Sequence, residues 1–209
     1  MNAAPTLERL AADLSAETEW LRAVLAGLDG AGWDRPTPAP GWSVRDQITH
    51  LAYFDEATTM AATDPDRFRH HREEVLADID GFTAAVAAAN RERPGDEILA
   101  WFGMARAAML ATVTTLEPRA RAPWYGPDMS VMSLLTARIM ETWAHGQDVA
   151  DAGGVEHVVT PALRHVAHIG VQTRANSFRA RGRAVPDGDV RVELGAPDGE
   201  VWTWGPPDA

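Results

Sequence analysis

The 209-residue chain has no cysteine and no lysine, and its 19 basic residues other than histidine are all arginine. Without cysteine there is no disulfide framework, no cysteine nucleophile and no thiolate-ligated metal site. Positive charge is also scarce: 30 Asp and Glu leave a formal net charge of -11. A general nucleic-acid binder needs a basic footprint to displace counterions, which excludes that class. No apolar run approaches the roughly 18 residues that cross a bilayer, and the N-terminus carries no charged-then-apolar signal pattern. The glycines form no phosphate cradle of the G-x-G-x-x-G or G-x-x-x-x-G-K-[ST] type, and no G-x-S-x-G elbow occurs. These absences set the expectation of a soluble, acidic, cytoplasmic protein without nucleic-acid or membrane partners, monomeric or homodimeric.

What is present is an ordinary globular composition, 45% apolar, long enough for one domain with a small appendage. The 37 alanines and arginine-only basic set are what a GC-rich genome encodes. Leu7, Leu10, Leu14, Leu21, Val24, Leu25 and Leu28 recur at spacings of three and four, predicting a first helix from Pro5 to about Leu28. The stretch Pro36 to Gly41 cannot be helical. Ser43 with Asp46 three residues on forms a capping-box start for a second helix to about Ala62. Asp64-Pro65 opens a third, with Gly81 its weak point, broken at Pro94-Gly95. Asp96 is expected to cap a fourth, from Glu97 to about Leu116, and Ser130 a fifth that ends before Gly153-Gly154. Thr160-Pro161 opens a sixth to about Phe178. Alternation in Val190 to Leu194 and Val201 to Trp204, around a turn at Ala196 to Gly199, predicts a β-hairpin. The expected division is residues 1–155 as a helical bundle and 156–209 as a helix-plus-hairpin appendage, the abrupt ending suiting a truncated subdomain.

Histidines carry the chemistry. Glu141 and His145 stand four apart on the fifth helix, so their side chains share a face and converge on one ion; imidazole and carboxylate are natural ligands of first-row metals. His50 lies on the second helix among apolar neighbours, where a core histidine bonded to a backbone carbonyl is the plain alternative. If those helices are adjacent, His50, Glu141 and His145 form a His₂Glu set, whose open positions are typical of catalytic metal sites. His70 and His71 point about 100° apart on a helix and read as a solvated face. His165 and His168 form an i, i+3 pair with no acidic residue close by in the sequence, and His157 falls in a loop. Asp148 and Gln47 are candidates to orient the ligands, and Arg138 and Arg45 to recognise a carboxylate on a thiol or substrate. For each, a plain surface or helix-end role is the alternative. Trp42 and Trp143 read as packing residues.

The segment Pro40-Gly-Trp-Ser-Val-Arg-Asp-Gln-Ile-Thr-His50-Leu resembles the first motif of the DinB-like, mycothiol-dependent maleylpyruvate isomerase N-terminal family. Glu141-Thr-Trp-Ala-His145-Gly-Gln-Asp148-Val resembles its second. The two occur in the family's order, and the likeness spans roughly residues 5 to 155. The resemblance implies a mainly α fold, a DinB-like four-helix bundle with an additional C-terminal helix and a short β-hairpin from a small or incomplete α+β subdomain. It also implies a divalent metal, zinc first and nickel or iron as alternatives, on His50, Glu141 and His145. The implied activity is that of a thiol S-transferase or isomerase, in which the metal activates a mycothiol-like thiol for attack on a small electrophile. A protein without cysteine would import that sulfur, and the composition suits an actinobacterial host. Two other readings remain open: a hydrolase using metal-bound hydroxide, and a non-enzymatic metal- or ligand-binding accessory or stress protein.

Overall fold

The structure, a computed structural model, describes residues 5–209. The chain divides into two compact units, one ending at His157 and one from Val158 to Ala209. In the first, four long helices form the bundle: α1 (Leu7–Ala26), α3 (Val44–Thr63), α6 (Gly95–Val113) and α7 (Val131–Gly153). Each packs against two of the others, with α3 between α6 and α7. A one-turn helix α2 (Gly30–Trp33) follows α1, while α4 (Pro65–Ala77) and α5 (Ile79–Asn90) lie against α3. The strand pair β1 (Arg121–Ala122) and β2 (Met129–Ser130) precedes α7. No helix of the described residues is long and apolar enough to cross a membrane.

Three of the long helices begin at side-chain caps. Thr6 accepts from Arg9 N, Ser130 from Ser133 N, and the Ser43–Asp46 capping box is complete. Three expectations are corrected. The predicted third helix is two, because Asp78 leaves helical geometry and caps α5 by accepting from Gly81 N; the break therefore precedes Gly81. Pro94, not Asp96, occupies the cap position of α6, and Asp96 sits in its first turn. The predicted sixth helix is broken at Thr173 into α8 (Leu163–Gln172) and α9 (Arg174–Ala180).

Two apolar layers span the bundle, and a third cluster gathers around Phe68. One joins Leu21, Leu25, Val44, Ile48, Ile98, Phe102 and Val149; the other joins Leu7, Leu10, Leu14, Met109, Val113, Leu135 and Ile139. The start of α3 and the end of α7 share the first layer, so these helices run antiparallel. Between the layers lies a polar clasp. Asp55 on α3, fully buried, accepts from Arg106 on α6 (Nε 2.7 Å) and from Arg138 on α7 (Nε 2.9 Å). Arg106 also donates to Thr18 on α1 and Thr142 on α7, and Arg138 to the carbonyl of Leu51. All four helices meet there.

In the second unit, α8 and α9 precede an antiparallel hairpin of β3 (Val192–Gly195) and β4 (Val201–Trp204), with Leu194 opposite Trp202. Trp204 Nε1 donates to His168 Nδ1 on α8 (3.1 Å), so the hairpin is tied to a helix of its own unit. Gly205, at φ 84°, passes so near the carbonyl of Val190 that a Cβ would overlap it.

Asp55→Ala would leave two buried guanidinium groups without their carboxylate. Urea denaturation should show a loss of about 3–5 kcal/mol, as for other broken buried ion pairs; a loss below about 1 kcal/mol, the scale of an exposed pair, would contradict this account of the clasp.

Candidate metal centre

The loop before α3 is built to aim that helix. Ala39 to Trp42 is a tight turn with Pro40 and Gly41 at its centre, Gly41 at φ 80°, and Trp42 N donates to the Ala39 carbonyl (3.1 Å). Proline followed by a positive-φ glycine is the signature of a type II turn. Thr37 closes the loop, its N–H and hydroxyl both donating to the Trp42 carbonyl (2.8 and 2.9 Å). The capping box then starts α3 at Val44.

One turn into α3, Gln47 and His50 face the late half of α7. His50 Nε2 and His145 Nε2 each stand 3.3 Å from the same oxygen, Glu141 Oε2. The three donor atoms lie within 4.8 Å of one another. Donors held 2.0–2.1 Å from a tetrahedral zinc stand about 3.4 Å apart, so two imidazole nitrogens and a carboxylate oxygen at this spacing fit a divalent ion. The side chains of His50, His145 and Glu141 remain 16%, 18% and 30% exposed, open to a cavity of about 630 Å³. Trp42 lies over the ring of His145 (5.8 Å, 20° between planes) and edge-on to His50. Phe54 packs on the other side of His50 at 4.4 Å. The facing wall comes from α5, with Ile79, Ala84 and Ala87 interspersed with Asp80, Thr83 and Arg91.

Gln47, wholly buried, decides which nitrogen of His145 carries a proton. Its amide NH₂ donates to Asp148 Oδ2 (2.9 Å) and to Thr37 Oγ1 (2.8 Å). An ionised carboxylate only accepts, which fixes the amide with its oxygen toward His145 Nδ1. Nδ1 must then be the N–H, and in the neutral ring Nε2 presents its lone pair to Glu141. Two lone-pair atoms 3.3 Å apart require a cation between them, either a proton or a metal.

Charge on the centre follows from burial and neighbours. Burial pushes the Glu141 carboxyl upward, but hydrogen bonds from His145 and His50 and the charge of Arg138 outweigh it and hold the group well below the usual carboxylate range. Burial lowers His50, with Glu141 opposing, which favours the neutral, ligating imidazole. Arg138 acts from within the clasp.

Of the seven residues singled out in the sequence, five converge here: His50, Glu141, His145, Gln47 and Asp148. Arg45 and Arg138, considered for recognising a ligand carboxylate, are turned elsewhere. Arg138 is 2% exposed and committed to Asp55; Arg45 is buried against Asp34 (2.9 Å) and the Arg93 carbonyl. Both satisfy carboxylates of the fold itself, since a buried guanidinium needs a partner. The sequence reading missed Asp55 and Arg106, whose burial no local pattern announces. His157 lies in a loop, as expected, and its ring is buried there between Trp20 (3.8 Å, stacked) and Trp143 (5.9 Å), bonded to Glu17 (2.6 Å) and set against Gly146. The Trp and Gly of the second motif thus seat the segment leaving α7. His71 lies between the hydroxyls of Tyr53 and Tyr125 rather than on a solvated face.

A family model, two relatives and two solved structures match the chain. Residues 14–150, which include both motif segments, match the mycothiol maleylpyruvate isomerase N-terminal domain. Two uncharacterized proteins of Mycobacterium tuberculosis, MT0041 (strain CDC 1551 / Oshkosh) and Rv0036c (strain ATCC 25618 / H37Rv), are each 39% identical over 198 residues, 95% of this chain and 77% of theirs. Crystal structures of the mycothiol-dependent maleylpyruvate isomerase and of a histidine-to-alanine mutant of it have the same fold, with TM-scores of 0.62 and 0.65 at 14% and 13% identity. They cover 94% of this chain and 79% of theirs.

Because Glu141 is held ionised, it stabilises the metal-free fold above its ordinary value near 4.5, and that contribution is lost as pH falls below it. Glu141→Gln removes it, so urea midpoints measured from about pH 5 to about pH 3 should fall less steeply in the variant. Parallel slopes would contradict the assignment.

Proposed function

The chain belongs to the mycothiol maleylpyruvate isomerase N-terminal family, and from that membership we propose that it is a thiol-dependent isomerase or transferase whose centre holds a divalent metal, zinc being the first candidate. His50 Nε2, His145 Nε2 and Glu141 Oε2 are the ligands. The observation that carries this reading is the convergence of His50 Nε2, His145 Nε2 and Glu141 Oε2 within 4.8 Å of one another, with Gln47 and Asp148 bracing the His145 ring. When bound, the metal supplies a lowered pKa to a coordinated thiol, so that a thiolate exists at neutral pH.

The protein's own residues do the rest. Gln47 and Asp148 hold the His145 ring and its tautomer. Trp42 and Phe54 flank the imidazoles and keep them from turning out of the ligating plane. Three protein ligands leave room for an exogenous one, as in other catalytic sites, and the cavity over them accommodates a thiol and a small electrophile together. Its α5 wall offers an apolar surface beside one cation, Arg91, and one anion, Asp80. Mycothiol is the thiol proposed, on the strength of the family. A centre with no cysteine of its own has no competing thiolate to displace that cosubstrate.

Elemental analysis should find about one divalent ion per chain, the stoichiometry of a single three-ligand site, lost in His50→Ala and Glu141→Ala. Conversion of a small unsaturated or activated electrophile should require both added mycothiol and the metal, disappear with a chelator and return with zinc. Full activity of the metal-free protein, or activity indifferent to thiol, would overturn the proposal.

A further inference from the structure

The two histidines of the centre are supported unequally. His145 Nδ1 has Gln47 behind it, and Gln47 in turn has Asp148 and Thr37. His50 Nδ1 is buried and has no partner. Among the described residues, five buried side-chain polar atoms lack a hydrogen-bond partner, and three of them, Asp46 Oδ1, Thr49 Oγ1 and His50 Nδ1, fall within little more than one turn of α3. Positions i, i+3 and i+4 share a helix face, so one acceptor-only oxygen, one hydroxyl and one ring nitrogen are gathered on one stripe of α3, whose Asp46 and His50 both line the cavity. Buried polar atoms are nearly always paired. A cluster of three without partners is therefore a feature to be explained.

The capping box explains how Asp46 comes to have a spare oxygen. Its Oδ2 accepts from Ser43 N (2.9 Å) and Ser43 Oγ (2.7 Å), which fixes the carboxylate and leaves Oδ1 unused while the side chain is 95% buried, being 5% exposed. Once Nε2 of His50 ligates a metal, the ring's proton resides on Nδ1, and that N–H needs an acceptor. None lies within direct reach. A buried water needs two to four polar partners, and this stripe supplies three.

We propose that Asp46 is a positioning residue for His50: one buried water accepts from the Nδ1–H of His50 and from the Thr49 hydroxyl, and donates to Asp46 Oδ1. The same carboxylate thus starts the helix with one oxygen and orients a metal ligand with the other. The inference rests on the metal reading given above.

The test measures zinc affinity by chelator competition, together with the ¹⁵N-coupled Nδ1 proton of His50 by NMR in the zinc-loaded protein. Asp46→Ala should weaken zinc by about 10–100-fold, the range for partners of metal-bound histidines, and abolish the slowly exchanging Nδ1–H signal. Thr49→Val should move both in the same direction by a smaller factor. Ser43→Ala breaks the same cap and should lower the melting temperature, yet leave affinity and the Nδ1–H signal as in the wild type. Wild-type affinity in Asp46→Ala, or equal weakening in Ser43→Ala, would overturn the proposal while the metal site stood. Should Asp46→Ala fail to fold, an unchanged Nδ1–H signal and affinity in Thr49→Val would overturn it. A wild-type protein that takes up no zinc, nickel or iron would instead remove the metal reading, and this inference with it.

Discussion

The bundle is held in register by a carboxylate that two guanidinium groups share in its core. Asp55 joins α3 to α6 through Arg106 and to α7 through Arg138, and Arg106 reaches α1 through Thr18. Apolar layers above and below would tolerate sliding of one helix along another, because hydrophobic attraction is non-directional. A hydrogen-bonded ion cluster does not, because a displaced partner leaves an unpaired charge in the interior. Asp55 lies five residues after His50, and Arg138 lies three before Glu141. The clasp therefore fixes the axial alignment of the helices that carry the donors and brings their Nε2 and Oε2 atoms to 3.3 Å.

The clasp also sets the charge of the centre. Its two guanidinium groups outnumber its single carboxylate, and Arg138 favours the ionised form of Glu141. Counted together, Arg106, Arg138, Asp55 and Glu141 are neutral in sum. On the α7 side, Gln47 links the loop before α3, through Thr37, to His145 and Asp148. One glutamine thus ties the loop, both ligand helices and a tautomer into a single hydrogen-bonded unit.

Much of this was legible in the sequence wherever the signal is local. The Ser43–Asp46 box, the Pro40-Gly41 turn and the i, i+4 pair Glu141–His145 are written in short spacings, and the helices they start or carry appear as expected. The paired motifs carried the family and the mainly α fold. What was hidden is what depends on distant contacts. Asp55 and Arg106 carry no local signal, because a helix pattern cannot say that two opposite charges 51 residues apart pair inside. The burial of the loop residue His157 is hidden for the same reason: its stacking partners come from α1 and α7. The break at Asp78 was missed because glycine seemed the weaker point, whereas a capping carboxylate ended one helix and began the next. Arg138 and Arg45 were offered to a ligand because nothing local revealed that the fold itself uses them.

The central claim is that two imidazoles, from helices far apart in sequence, hold one ion with Glu141. X-ray absorption at the zinc edge of the loaded protein tests it most directly. The account predicts nitrogen and oxygen scatterers at about 2.0–2.2 Å, with the outer-shell pattern of two imidazole rings reduced to one in His50→Ala. A zinc shell without imidazole scattering, or one unchanged by that substitution, would contradict it.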